Sequence, residues 1–274
     1  MPTTPTRLQR ASGQCRVVFD LRDGETRLVD LYQRDPCRVL FPKGEPDDPP
    51  QAVLLTTSGG VTGGDRLDMA VEVGPGATAV ATTQAAEKIY RAAGTETCSI
   101  DVGLCVENAA TLEWLPQESI VFEGSRLRRR TVADVAIQAT LLACEMVVLG
   151  RAASGERFTR GLLLDSWTVR RGGRLAWTDT LRVEGETPGM PGAGAGFGAA
   201  NALATVIGVW DTPQERFEAA RALLDTAEGV RAGVTLVNGI VVARLLGEAT
   251  AVRAATIAFL TGLRGQRLPR VWHV

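Results

Sequence analysis

The strongest constraint on the fold is a period-two alternation of apolar and polar residues through the first two-thirds of the chain. In one stretch, four apolar side chains, Leu67, Met69, Val71 and Val73, share a face, and the acids Asp68 and Glu72 lie on the opposite face. Residues 100–106 repeat the pattern, and Gly, Pro, Asn or Asp turns follow such stretches at short intervals. This spacing predicts a mainly β fold of stacked, largely antiparallel sheets, either β-helix-like or a sandwich.

The last third of the chain changes to a helical pattern. Thr212 and Glu215 fit a capping box, and Pro213 occupies the expected first helical position, where its missing N–H costs nothing. An apolar stripe follows at helical spacing, and Gly229 is the expected end of this helix.

A second helix is predicted from about residue 248 to 260, with Gly262 as its terminator. A strand over residues 233–246 is expected between the two helices. Because the helices are expected to pack on the sheets, the chain is predicted to be one domain, 1–274, with a β-rich part over 15–210 and a helix-containing part over 211–274.

Composition excludes several classes of protein. Of 274 residues 45% are apolar and 22% are charged, which is typical of a soluble globular protein, and the net charge of −1 gives no drive toward nucleic acid or anionic membrane. Five cysteines without a C-x-x-C pair indicate neither a disulfide framework nor a zinc site. The chain is therefore predicted to be cytoplasmic, with reduced thiols.

Two segments bear on membranes and partners. Residues 187–210 contain no charge, but their first half is too rich in glycine and too weakly apolar to cross a bilayer. The N-terminus lacks the apolar core of a signal peptide. The loop from Gly185 to Gly198 is either a segment that orders on a partner or a plain flexible connector.

The glycine-rich stretch Gly59-Gly60-Val61-Thr62-Gly63-Gly64-Asp65 invites a nucleotide-binding interpretation, which its surroundings contradict. A phosphate-binding loop needs a lysine where this chain has Asp65, and a Rossmann turn opens a helix where this chain has a strand pattern. The structural alternative is a tight corner whose glycines admit close backbone approach while Asp65 binds exposed N–H groups.

Catalytic and metal chemistry find little support. His273 is the single histidine and lies next to the C-terminus, and no G-x-S-x-G elbow occurs. A glycosidase-like pair drawn from Glu113, Glu118, Glu123 and Asp179 stays open as an alternative function, without a spacing that selects the pair. Oxygen ligands hold transition metals weakly, which suits passage better than storage.

Two further segments leave alternatives open. Residues 112–122 mix large apolar residues with Glu113 and Glu118, which are either partner contacts or a lining for a polar interior. In a strand over 126–130, Arg126, Arg128 and Arg130 share a face, which fits a solvated sheet edge or an acidic partner.

Four motifs in order resemble the UreD (UreH) family of urease accessory proteins. The matching residues are Gly59-Gly60-x-x-Gly63-Gly64-Asp65; Thr82-Thr83-Gln84 with Lys88 and Tyr90-Arg91; Glu113-Trp114-Leu115-Pro116-Gln117-Glu118 with Phe122; and Glu145, Leu149-Gly150-Arg151 and Gly155-Glu156. The similarity spans nearly the whole chain. Glu87 departs from the pattern, since a small polar residue is expected there.

The resemblance implies a mostly β protein with two helices and no enzymatic activity. Such proteins bind UreF directly and the GTPase UreG through UreF, dock on apo-urease, and help deliver nickel through an internal polar tunnel. No tightly bound cofactor is implied, only nickel in transit. The candidate nickel-passage residues are Asp65, Glu87, Glu145 and Glu156; the other candidate functional residues are Gly59, Gly60, Gly63, Gly64, Thr83, Gln84, Lys88, Tyr90, Glu113, Glu118 and Arg151. An interaction module that stabilises urease without touching metal is a third possibility.

Overall fold

The computed structural model describes residues 9–44, 48–151, 154–186 and 196–273. Within these ranges the chain forms seventeen strands, two α-helices and a terminal 3₁₀ turn. The strands are β1 (Ser12–Arg22), β2 (Glu25–Arg34), β3 (Cys37–Leu40), β4 (Gln51–Thr56), β5 (Arg66–Val73), β6 (Thr78–Thr83), β7 (Glu87–Ile89), β8 (Cys98–Val106), β9 (Thr111–Leu115), β10 (Ser119–Val121), β11 (Arg126–Val135), β12 (Thr140–Leu149), β13 (Arg160–Arg171), β14 (Arg174–Glu186), β15 (Ala202–Val209), β16 (Val230–Val237) and β17 (Ile240–Gly247). The helices are α1 (Pro213–Leu224) and α2 (Ala249–Arg264), and the 3₁₀ turn is Arg270–His273.

The described strands form two stacked sheets. The first sheet has the order β14-β13-β11-β8-β5-β1-β2, and the second has the order β16-β17-β15-β12-β9-β6-β4-β3, with the short β7 and β10 beside it. From β4 to β13 the longer strands alternate between the sheets, so that neighbours within a sheet run parallel. Antiparallel pairs lie toward the sheet margins.

The predicted fold class is therefore confirmed, and one detail of it is corrected. The protein is mainly β, with stacked sheets and two helices, but its central strands pair in parallel. Alternation in the sequence shows which face of a strand is buried and not the direction of its neighbour. Direction follows from the coiling of the chain between the two sheets.

Two apolar cores divide the molecule into three layers. The first core lies between the sheets and includes Leu104 and Leu127, while the second lies between the second sheet and the helices and includes Met146 and Phe259. Strand β12 borders both cores and is buried on both faces, which explains its nearly continuous apolar sequence.

The helix ends differ in part from the prediction. Pro213 does begin α1, but Thr212 makes no side-chain capping bond, and the helix ends at Leu224 before it reaches Gly229. Helix α2 continues past the predicted terminator Gly262 and ends at Arg264, capped by the next glycine, Gly265, which has a left-handed φ of +69°. A Cβ on Gly262 would lie 2.5 Å from a methyl carbon of Leu223 in α1, so glycine permits close helix packing there.

The predicted single strand over 233–246 is a hairpin of β16 and β17. Its turn is Asn238-Gly239, with φ values of +50° and +76°, and this pair favours a tight two-residue hairpin turn. Of the loop predicted from Gly185 to Gly198, residues 187–195 lie outside the described part. Among the described helices, none has the length and apolar character needed to cross a bilayer.

Candidate functional site

The glycine-rich loop is a corner held by Asp65. One carboxylate oxygen of Asp65 accepts from the backbone N–H of Ala11 at 2.8 Å, and the other accepts from the N–H of Thr62 at 2.8 Å. Asp65 is only 6% exposed. Both oxygens therefore serve backbone amides, as the structural alternative expected. Contact of Asp65 with nickel stays a prediction.

Two glycines of this corner allow the chain to approach its neighbours closely. A Cβ on Gly60, whose φ is +134°, would lie 2.6 Å from the carbonyl oxygen of Lys88 and equally near the ring of Tyr90. A Cβ on Gly63 would lie 2.4 Å from the carbonyl oxygen of Glu96. Only glycine fits at these contacts, because real Cβ atoms do not approach other atoms so closely.

Residues from the other matched motifs meet the corner at the surface. The hydroxyl of Tyr90 donates to the carbonyl of Gly59 at 2.9 Å, and its ring packs edge-on against Phe122, with centroids 5.1 Å apart. The guanidinium of Arg151 lies 4.4 Å from the centre of the Phe122 ring and pairs with Glu156 at 2.6 Å. This hydrogen bond from Arg151 lowers the pKa of Glu156. Glu156 is thus a neutralised surface carboxylate.

The two glutamates of the segment 112–122 hold the C-terminal helix. Glu113 pairs with Arg264 at 2.7 Å, and Glu118 pairs with Arg253 at 2.7 Å, both arginines belonging to α2. The same segment is tied to the Thr-Thr-Gln motif, because the N–H of Gln117 donates to the hydroxyl of Thr83 at 2.8 Å. Neither of the two glutamates lines the space between the sheets.

Glu87 lies beside a cavity that reaches the surface. The cavity measures about 160 Å³, and its wall includes Glu87, Gly59, Gln84 and Lys88, the last three of which are exposed. The hydroxyl of Thr56 donates to Glu87 at 3.3 Å. Burial raises the pKa of Glu87 to about 7, so the carboxyl changes charge near neutral pH.

From Glu87 a set of polar side chains continues into the first core. Ser119 of β10 is aligned with Glu87 of β7 in adjacent parallel strands, which places the two side chains on one face about 5 Å apart. The hydroxyl of Ser119 accepts from Arg129 at 2.9 Å. Arg129 also donates to both oxygens of Asp165, at 2.9 and 2.6 Å. We call the set Glu87, Ser119, Arg129, Asp165 and Glu145 the interior polar row.

Glu145 ends this row on the second sheet. Its oxygens accept from the hydroxyl of Thr131 at 2.9 Å and from the indole of Trp167, and the guanidinium of Arg129 lies 3.4 Å away. Burial raises the pKa of Glu145, although the charge of Arg129 acts in the opposite direction. Two of the four predicted nickel-passage residues, Glu87 and Glu145, thus belong to one interior set, while Asp65 and Glu156 do not.

Sequence reasoning missed Arg129, which is 5% exposed. The alternation predicted that Arg126, Arg128 and Arg130 share a face, and Arg128 and Arg130 both pair with Asp101 on the neighbouring strand. Strand β11 is flanked on both sides, so the expected sheet edge is wrong. The available signal was an arginine on the opposite face of the same strand, whose other residues are Leu127, Thr131, Ala133 and Val135.

The carboxylates considered for a glycosidase each have their own partner. Glu113 and Glu118 pair with the two arginines of α2. Glu123 accepts from the hydroxyl of Thr159 at 2.8 Å, and Asp179 pairs with Arg244 at 2.5 Å. Nothing in these contacts selects a catalytic pair. Over the described ranges, no group of three or more His, Cys, Asp or Glu side chains is arranged to hold a metal ion.

Fold and site together define a helix-covered, two-sheet β protein whose inner core is crossed by polar side chains. The sequence profile of the family described as UreD urease accessory protein matches residues 11–273. The chain belongs to this family, and with it to the proteins of urease maturation.

Individual relatives give the same result. A urease accessory protein UreD 2 of Methylorubrum populi is 43% identical over 253 residues, which cover 92% of this chain and 85% of the relative. A urease accessory protein UreD of Magnetococcus marinus is 40% identical over 276 residues, which cover 97% of this chain and 95% of the relative. A urease accessory protein UreD of a Methylobacterium species is 41% identical over 278 residues, which cover 99% of this chain and 98% of the relative.

Proposed function

We propose that this protein is a non-catalytic scaffold that binds apo-urease, joins UreF directly and UreG through UreF, and passes nickel along its interior. The observation that supports the nickel route is the interior polar row, which begins at a cavity with exposed walls and runs between the sheets to Glu145. Nickel is the cargo of this route and not a resident cofactor.

The charges of the row suit a cation better than an anion. Glu87, Asp165 and Glu145 provide three carboxylates against one guanidinium, that of Arg129. Two of these carboxyls have a raised pKa, so each can take up a proton when no metal ion is near and release it when one arrives. Such an exchange keeps the buried charge nearly constant.

The ligand type also fits passage. Carboxylate and hydroxyl oxygens are hard ligands, and divalent ions of the nickel type bind imidazole and thiolate more tightly. Each tenfold gain in affinity deepens a binding well by about 1.4 kcal/mol and slows the exit of the ion. Shallow oxygen sites therefore favour transfer.

The test is co-expression of the chain with the urease subunits and the other accessory proteins at limiting nickel. Glu87→Gln and Glu145→Gln keep the shape of each side chain but remove its charge. We expect each variant to lower the nickel content of urease, measured by mass spectrometry, while a pull-down recovers the complete complex.

Glu25→Gln on the exposed strand β2 is the matched control and should load urease normally, since Glu25 is 72% exposed and three strands separate β2 from β11 in the first sheet. Normal nickel loading by both interior variants would refute the conduit. Loss of assembly in these variants would instead assign them a structural role. If removal of the whole chain leaves urease fully loaded at limiting nickel, the proposed function itself is wrong.

A further inference from the structure

The alignment of strands extends the interior polar row beyond Glu145 toward the margin of the second sheet. Glu145 of β12 is aligned with Thr205 of β15, and Thr205 is aligned with Arg244 of β17. Aligned residues on adjacent strands share a face and lie about 5 Å apart. Thr205 is half-buried and Arg244 is exposed, so this second set of neighbours leads from the buried carboxyl to solvent.

The first sheet provides a parallel series of neighbours. Trp167 of β13, whose indole donates to Glu145, is aligned with Asp179 of β14. Asp179 then crosses to the second sheet and pairs with Arg244 at 2.5 Å. The side chains of Glu145, Trp167, Asp179, Arg244 and Thr205 therefore form a closed ring of neighbours between the sheets.

The position of this ring is at a margin of the stack. β14 is the last described strand of the first sheet, whereas the second sheet continues past β17 to β16. The ion pair thus spans the gap where one sheet ends and the other continues. Its side chains are 39% exposed for Asp179 and 47% for Arg244, so the pair is in contact with solvent.

We propose that the polar route has a second opening at this margin, and that Asp179 and Arg244 control the passage of a divalent cation there. The inference rests on the proposed conduit and adds the place where it reaches the surface on the side opposite Glu87. In the closed pair the carboxylate neutralises the guanidinium. A cation that passes is drawn to Asp179 and repelled by Arg244.

The two halves of the pair should therefore have opposite effects on transfer. Asp179→Asn leaves the positive charge of Arg244 without its neutralising partner, and we expect the rate of nickel loading of urease to fall roughly fivefold. Arg244→Gln leaves a free carboxylate, and we expect the rate to stay the same or rise. An ion pair with a purely structural role would give two losses of similar size.

The experiment measures nickel loading of urease over time in the complete complex for Asp179→Asn, Arg244→Gln and the double variant, with Ni²⁺ as the probe. The matched controls are Asp134→Asn and Arg170→Gln, which break another exposed ion pair, on β11 and β13, and should change nothing. A pull-down of urease checks assembly in each case.

Opposite effects of the two single variants, with the complex intact, support the second opening. Equal effects, weakened assembly, or no effect of either variant overturn it. Glu87→Gln and Glu145→Gln are run beside them. If those two lower loading while the marginal variants do not, the conduit stands and this opening is wrong. If none of the four has an effect, the conduit fails and this inference with it.

Discussion

The two cores of this protein use charged side chains in different ways. In the second core, between sheet and helices, ion pairs such as Glu113–Arg264 stand at the border and fix α2 on the sheet. In the first core, between the sheets, charged groups cross the interior, and Arg129 is surrounded by Ser119, Asp165 and Glu145. The side chains of Arg264 and Arg129 are almost equally buried, at 4% and 6% exposed, but Arg264 pairs with one carboxylate whereas Arg129 lies between two.

The matched glutamates, which the family motifs do not distinguish, fall into two groups in the structure. Glu113, Glu118 and Glu156 each meet an arginine and hold parts of the fold in place. Glu87 and Glu145 keep a raised pKa inside the molecule. Glu87 and Glu145 are the two matched carboxylates that belong to the interior polar row, and a part of Asp65 or Glu156 in nickel passage stays a prediction.

The largest effect is expected from Arg129→Ala. This change leaves the carboxylates of Asp165 and Glu145 buried without their cation, and the free energy of unfolding should fall by about 4 kcal/mol. Urea denaturation followed by tryptophan fluorescence measures it. Arg170→Ala, which breaks an exposed pair with Asp134, is the control and should cost less than about 0.5 kcal/mol. Equal losses would show that Arg129 does not hold a buried ionic set.

The next effect is a pH dependence from Glu87. Its pKa is about 7 in the folded protein and near 4.5 unfolded, so between these values the folded protein binds a proton that the unfolded chain has lost. Stability should therefore fall as pH rises from about 4.5 to 7 and stay level above, with a total change of about 3 kcal/mol at most.

Glu87→Gln should remove this contribution, and the difference between the two proteins in urea denaturation at a series of pH values isolates it from the other carboxyls. Because Glu156 and Glu248 have lowered pKa values, their contributions have the opposite slope and cancel in the difference. A difference that does not vary over pH 4.5 to 7 would contradict the raised pKa of the partly buried Glu87.

A smaller effect is expected from Arg264→Ala in the second core. The Arg264 side chain is 4% exposed and its partner Glu113 is 13% exposed. Loss of the pair should therefore lower the free energy of unfolding, measured by urea denaturation, by about 2 kcal/mol. Nickel loading of urease should be unchanged once the variant is folded. Arg221→Ala on the exposed side of α1 is the control. A specific loss of loading by Arg264→Ala would mean that the second core also serves the route.

Much of the fold could be predicted from local patterns. Period two in Leu67, Met69 and Val71 identified β5, and Pro213 marked the first residue of α1. The Asn238-Gly239 turn was equally readable and was missed. The parallel pairing of the central strands could not be predicted from the sequence, because strand direction depends on which of the two sheets each successive strand joins.

The sequence identified the candidate site residues, but it did not show which of them lie together in the structure. The motifs name Asp65, Glu87, Glu145 and Glu156 alike, since a motif reports that a residue matches and not where its side chain points. Arg129 had a weaker signal, a charge on the inward face of an alternating strand. Its partners Ser119 and Asp165 are 10 and 36 residues away in the chain, so only the stacking of strands brings them together.

The sequence by itself determined the mainly β class, the two helices and the family, because hydrophobic periodicity and motif spacing are local properties of the chain. The tertiary structure alone decided that Asp65 holds a backbone corner while Glu87 and Glu145 belong to one interior row. The physical reason is that burial and charge pairing depend on neighbours distant in sequence, and these neighbours are set by the coiling of the chain between the two sheets.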